Sequence, residues 1–167
     1  IQNLIHSKDG DYLDCTFGVG GHSKKILECL GTNGSLKAID KDPKVFKFSD
    51  QIKDERFQFK NISFSQIEDF YPPLSFDGIL IDLGISSFQL DDSDRGFSFQ
   101  TDSILDMRMN QSHGLTAYEW LNQAEEKEIA DVFFYLGEER KSRSLARQIV
   151  NNRKSKKISS TADLSGL

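Results

Sequence analysis

Between Tyr12 and Leu83 short β-rich apolar runs alternate with stretches of helical pattern, and that alternation admits few folds. Residues 12–16, 35–39, 57–59 and 76–83 are predicted as strands, with helices over 23–30 and 43–52. Asp42 followed by Pro43 is an N-cap and first-turn pair that opens the second of these helices. Strands joined by crossover helices build a parallel sheet, so the class is α/β. The near-continuous apolar run Gly78-Ile79-Leu80-Ile81 reads as a strand buried on both faces. In the strand order 3-2-1-4 that strand keeps one open edge.

After Leu83 the pattern changes. Residues 84–114 carry little periodicity and many Asp, Ser, Gly and Phe residues, and long irregular segments inside a domain are usually functional. Helical signals return at 116–122, 125–136 and 139–152, the second with Ile129, Val132, Phe133 and Leu136 at spacings of three and four. The expected organisation is sheet portion 1–90, an irregular active-site segment 91–114, and a helical subdomain 115–167. No internal repeat interrupts it. Residue 1 is Ile, and the chain stops just after Ser159-Ser160-Thr161-Ala162-Asp163, which opens another helix, so both ends read as cut.

Hydrophobic residues at 37% and charged residues at 28% describe a folded, soluble chain, not a disordered one. No apolar run approaches the roughly 18 to 20 residues a membrane span needs, and the first segment lacks signal-peptide order, so a cytoplasmic setting is expected. Cys15 and Cys29 form no metal-ligand pattern and are expected to be buried, reduced thiols, with no metal site. The net charge of −5 is unevenly spread, because Arg140 to Leu167 holds eight basic residues against the single acid Asp163. Such asymmetry marks either a phosphate-facing segment or a solvated helix face.

The strongest local signal is Leu13-Asp14-Cys15-Thr16-Phe17-Gly18-Val19-Gly20-Gly21-His22-Ser23, a strand running through a glycine-rich turn into a helix. Its glycines let backbone approach a ligand closely. The next strand ends in Asp40, twenty-two residues after Gly18, where a carboxylate can accept from both hydroxyls of an adenosine ribose. Nicotinamide dinucleotides and S-adenosylmethionine share that requirement. The third fingerprint glycine is replaced by Ser23 and no Arg or Lys stands in the turn to meet a diphosphate, while Asp14 would suit a sulfonium, so the chemistry favours the methyl donor. The fourth strand leads to Asp82, at the edge where open α/β sheets bind ligands. In enzymes that methylate amines this edge typically holds a polar acceptor for the amine hydrogens and then an aromatic that stacks on the base. Asp82 or Ser86, with Phe88, could supply those parts, and a turn-capping role for Asp82 is the plain alternative.

Five ordered motifs carry a resemblance: Thr16-Phe17-Gly18-Val19-Gly20-Gly21-His22-Ser23; Asp82-Leu83-Gly84-Ile85-Ser86-Ser87 through Gln89-Leu90-Asp91; Arg95-Gly96-Phe97-Ser98-Phe99; Leu105-Asp106-Met107-Arg108-Met109; and Gly137-Glu138-Glu139-Arg140. Together they resemble the bacterial and mitochondrial-type 16S ribosomal RNA cytosine-N4 methyltransferase family, from about Tyr12 to Leu167. The resemblance implies a Rossmann-like methyltransferase domain, here incomplete, interrupted after its fourth strand by a helical insertion. It implies S-adenosylmethionine contacts at Gly20, Gly21, His22, Asp40, Phe64, Asp82 and Gln89; Phe64 and Gln89 rest on the resemblance only. The implied partner is small-subunit ribosomal RNA or the assembling small subunit, with no membrane; the oligomeric state stays open, a homodimer among the options.

The chemistry expected is in-line transfer, the cytosine amine attacking the methyl carbon as a neutral thioether leaves, with Asp82 or Ser86 accepting from the amine and the base drawn from its stack. Arg95, Arg108, Arg140, Arg143 and Arg147 are candidates to hold phosphates, each with an ion-pair alternative. Two rival readings are a nicotinamide-dependent oxidoreductase and an inactive fragment that binds cofactor or RNA.

Overall fold

Alternation along the first strand decides how the sheet is covered. In the computed structural model, which describes residues 1–167, Tyr12 and Leu13 of β1 (Asp11–Asp14) are both fully buried yet belong to different apolar clusters. Successive strand side chains point to opposite faces, so β1 is covered on both sides. β2 (Ser35–Ile39), β3 (Phe57–Lys60) and β4 (Gly78–Leu80) complete the expected parallel sheet, in the order β3-β2-β1-β4. Asp11 pairs with Ser35 and Tyr12 with Gly78, which brings the carboxyl ends of all four strands to one edge.

The chain divides into two compact units, Ile1–Phe88 and Gln89–Leu167. In the first, α1 (Gly21–Cys29) buries Ser23, Ile26 and Leu27 and is followed by buried Leu30, a stripe at helical spacing that packs on Tyr12 and Leu36. Burial of each large aliphatic side chain is worth about 1.5–3 kcal/mol. Arg56 closes the far end of α1 by donating to the Leu30 and Gly31 carbonyls, and its fork is held by Asp54 at 2.6 Å. That guanidinium holds the Asp54 carboxyl down to about 2.

Several expectations are corrected here. The helix expected over 43–52 is a 3-10 turn, Pro43–Val45, followed by α2 (Phe46–Ser49); Asp42 does cap it, accepting from the Lys44 N–H at 2.9 Å. A capped turn at Phe64–Gln66 and α3 (Ile67–Phe70) stand where no helix was expected. β4 is shorter than expected and not buried on both faces: Ile79 is 48% exposed, because β4 has only β1 beside it. Cys15 is buried, and burial pushes its thiol up to about 11, whereas Cys29 falls outside the α1 stripe and is exposed.

The second unit opens on α4 (Ser87–Asp91), which spans the division, and adds α5 (Ala117–Gln123), α6 (Glu126–Tyr135), α7 (Ser142–Asn152) and α8 (Thr161–Ser165). Its core gathers Leu105, Leu121, Ile129, Ala146, Ile149 and Ile158. Thr116 and Glu119 form a reciprocal capping box at the start of α5. Ile129 and Phe133 join this core as their spacing requires, but Leu136, past the end of α6, is exposed.

The segment expected to be irregular and active is organised around a buried cation. Arg95 is fully enclosed; its guanidinium donates to the Met109 carbonyl at 2.7 Å and faces Asp92 at 3.4 Å. Arg108 is held by Asp106 at 2.7 Å and by the Gly114 carbonyl. Both arginines therefore tie their own loop together. For Arg95 this corrects its assignment to phosphates, because an enclosed, hydrogen-bonded guanidinium is not available to solvent-borne RNA, whereas Arg108 is partly exposed with its fork taken up by Asp106. Arg153 of the basic run behaves likewise, donating to the Leu121 and Ala124 carbonyls at the end of α5.

Candidate functional site at the carboxyl edge of the sheet

The edge is built by backbone that continues past each strand. Beyond β1, the Cys15 N–H donates to the Leu80 carbonyl at 2.8 Å and the Phe17 N–H to the Ile39 carbonyl at 3.2 Å, so the turn after β1 is sewn to both neighbouring strands. Asp14 sits beneath it, fully buried, accepting from the Ser23 hydroxyl at 2.7 Å and the Thr16 N–H at 3.1 Å. Its carboxylate therefore braces strand against helix and does not face a ligand, which corrects the expectation that it meets a sulfonium.

Burial raises the Asp14 carboxyl above its ordinary value of 3.8, against the opposing pull of Ser23 and Thr16. A carboxyl with a raised folded pKa stabilises the fold most below its unfolded pKa, and that contribution is lost as pH rises through the folded one. Asp14→Asn can keep both contacts, accepting from Thr16 and donating to Ser23. Its stability relative to the parent should improve steadily as pH is raised from about 3 to about 7, read from urea midpoints. An offset that does not vary with pH would show that Asp14 carries no such burden.

Above Asp14 the turn is shaped by Phe17 and Gly20. Phe17 is buried against Phe57 and Phe59, with ring centroids 5.8 and 5.1 Å away. Gly20 caps α1 at φ 82°, and a Cβ there would meet the Phe17 ring at 2.9 Å. A side chain would be strained in that conformation and crowded by the ring. Gly21 faces open space, with nothing within 4 Å of a built Cβ.

Asp40 follows β2 and turns into this bend. One carboxylate oxygen accepts from the Gly18 N–H and the other from the Asp42 N–H, both at 2.9 Å. The Asn61 amide, past β3, donates to the Asp40 carbonyl at 2.6 Å and fixes the neighbouring strand end. Burial raises the Asp40 carboxyl, while the Asp42 and Gly18 amides pull it down. A carboxylate offers about four lone-pair sites, so two remain for further donors. Past β4, the Asp82 N–H donates to the Thr16 hydroxyl at 2.8 Å, and the Asp82 carboxylate lies 3.1 Å from His22 Nε2 at the start of α1. Ser86 comes close as well, its Cβ 3.9 Å from a Cβ built on Gly18.

A glycine bend, a carboxylate clamped on it and a second acidic group across it thus share one edge. The residues 1–167 match the family model described as the MraW methylase family. The chain belongs to that family. It is 47% identical over 171 residues to a ribosomal RNA small subunit methyltransferase H of Buchnera aphidicola subsp. Acyrthosiphon pisum, and 49% identical over 172 residues to the protein of that name in Shewanella pealeana. In each case all of this chain is covered and 55% of the relative, so the chain spans about half the length of the curated relatives it matches.

Gly20, Gly21, His22, Asp40, Asp82 and Ser86 all lie at this edge of the first unit. Phe64, in the capped turn after β3, is 40% exposed. Phe88 has neighbours of its own: its ring meets Phe48 edge-on at 5.1 Å and Lys47 Nζ stands 4.4 Å from its centroid, an environment that packs the ring in place. Gln89 is the first residue of the second unit and is buried there. Arg140, Arg143 and Arg147 are exposed, Arg147 lying 3.5 Å from Glu126. Sequence reasoning passed over Thr16, Phe17, Ser23 and Asn61 as parts of the site's frame. Thr16, Phe17 and Ser23 lie within the glycine-rich motif, whereas no pattern marks Asn61.

Proposed function

We propose that the protein transfers a methyl group from S-adenosylmethionine to the exocyclic N4 amine of a cytosine in small-subunit ribosomal RNA. The observation that carries this reading is Asp40 locked onto the Gly18 amide beside a bend that contains no Lys or Arg. Such a bend suits a nucleoside whose ribose is gripped by a carboxylate and which carries no diphosphate. The donor set fits: spare acceptor capacity at Asp40, open backbone at Gly21, and the imidazole and carboxylate of His22 and Asp82. Membership of the family and the names of the relatives support the substrate class.

When bound, the sulfonium nucleoside supplies an electrophilic methyl carbon. Asp40 would hold its ribose hydroxyls, Phe64 would flank the adenine, and Gly20, Gly21 and His22 would line the amino-acid end. Asp82 has its backbone pinned by Thr16 and one carboxylate oxygen against His22, so the other can accept from the cytosine amine and localise the nitrogen lone pair. Ser86 is the second acceptor within the same edge. Most of the acceleration would come from positioning. The cytoplasmic setting belongs to this proposal, as the place where assembling subunits would be met.

A titration and a transfer assay test it. Calorimetry should register S-adenosylmethionine and not NADH, and labelled methyl should pass to immature small subunits with the mark on a cytosine. Tight NADH binding without the methyl donor would decide for the oxidoreductase. Cofactor binding with no transfer would decide for the inactive fragment.

A further inference from the structure

The corner between α6 and α7, which carries Gly137-Glu138-Glu139-Arg140, takes no part in the site above. It is tightly made. The Leu136 and Gly137 amides both donate to the Val132 carbonyl, and the Glu139 amide donates to the Phe133 carbonyl at 2.9 Å. Glu138 is held at φ 52°, a left-handed conformation that non-glycine residues rarely adopt. The Lys141 amide is caught by the Glu139 carboxylate at 2.6 Å.

This corner leaves aromatic side chains in solvent. Phe134 is 51% and Tyr135 73% exposed, and their rings meet edge to face at 5.1 Å. Across from them stand Arg140, Lys141 and Arg143, none paired with a carboxylate, around a hollow of about 380 Å³. The hollow has one acidic lining residue, Asp131, and its charge is answered by Lys127 at 2.7 Å. A second hollow of about 350 Å³ continues along the same seam, sharing Asp131 and Arg143 and reaching Arg147 one helical turn on. The first hollow is thus a groove with uncompensated positive charge along one wall and two exposed rings at one end, while further along the seam Arg147 is answered by Glu126 at 3.5 Å.

We infer that this groove binds a single-stranded segment of RNA, with bases on Phe134 and Tyr135 and phosphates at Arg140, Lys141 and Arg143. The charge complements a phosphodiester backbone, and exposed rings beside a basic groove are what unpaired bases stack on. Paired bases offer no free faces, so a duplex would leave the rings unused. A protein partner fits less well, because charge is depleted at the centres of protein interfaces. The site stands on the second unit alone and does not depend on the cofactor reading.

The test is an anisotropy titration of the purified protein with a labelled, unstructured RNA of about a dozen nucleotides, within the length range such grooves cover. Tyr135→Leu combined with Phe134→Leu should weaken binding about tenfold or more, while Tyr135→Phe should bind like the parent. Arg140→Ala with Arg143→Ala should lower the slope of log affinity against log salt by about 1.4, two phosphates' worth for a single strand. All variants should keep the parent's melting temperature and affinity for S-adenosylmethionine, so failure here and failure of the cofactor reading are separate results. Unchanged RNA affinity in the leucine pair, equal losses on duplex RNA, or Tyr135 protected from surface labelling in the free protein would each overturn the inference.

Discussion

Asp40→Ala is expected to lower affinity for S-adenosylmethionine by roughly 100-fold to 10,000-fold, the loss of two hydrogen bonds to a charged acceptor at about 1.5–3 kcal/mol each. The carboxylate also braces the bend through Gly18 and Asp42, so a fall in affinity alone could reflect a loosened turn. Ligand chemistry separates the two causes. The demethylated thioether lacking both ribose hydroxyls should bind the parent protein far more weakly than the intact thioether, yet the two should bind the Asp40→Ala variant almost equally. That is a double-mutant cycle with one partner in the ligand, and its coupling belongs to the Asp40–ribose contact. Equal penalties on both proteins would remove Asp40 from the ribose and, with it, the main support for a nucleoside at this edge.

The sheet was legible because its signals are local. β-branched and aromatic runs, Pro43 after Asp42 and the glycine bend each act within a few residues, and together they imply the parallel sheet with crossover helices that is observed. Gly20 and Asp40 were legible for the same reason, since a strand end followed by a bend or an acid is a sequence pattern. What pattern could not reveal was direction. Asp14 lies in the same motif as Gly18, but strand alternation and the buried Ser23 hydroxyl turn its carboxylate inward. Phe17 and Asn61 hold the site through contacts across strands, with Phe59 and with the Asp40 carbonyl, and such partners leave no periodic trace. The arginines misled most. Arg95, Arg108 and Arg153 have the same residue type and similar surroundings in sequence as Arg140 and Arg143, yet the first three are absorbed by carbonyls and carboxylates of their own fold. Only packing distinguishes a cation that closes a loop from one that faces solvent.

The loop around Arg95 is also where a single methyl group should do the most harm. Gly96 stands at φ 66°, and a Cβ there would lie 1.9 Å from the Ile104 carbonyl oxygen and 3.2 Å from the Asp106 nitrogen. Every near neighbour is backbone, so no side chain can swing aside. Relief would require residues 104–106 to move, yet Leu105 is in the core and the Leu105 and Asp106 carbonyls accept from the first amides of α5. Displacing them would disturb the packing of the whole second unit. Conformational strain of about 1–2 kcal/mol and overpacking of about 1–3 kcal/mol give Gly96→Ala a cost of roughly 2–5 kcal/mol, a large share of a typical domain's stability. Gly114→Ala supplies the control, because Gly114 has the same left-handed backbone, at φ 80°, but nothing within 4 Å of a built Cβ. That variant should show the conformational cost alone. Thermal melts of both should place Gly96→Ala lower by about 5 °C or more, since 1 kcal/mol moves the midpoint of a unit this size by about 4–8 °C. Equal shifts would mean that the Ile104 carbonyl yields freely, and that the loop enclosing Arg95 is not the rigid seat these contacts describe.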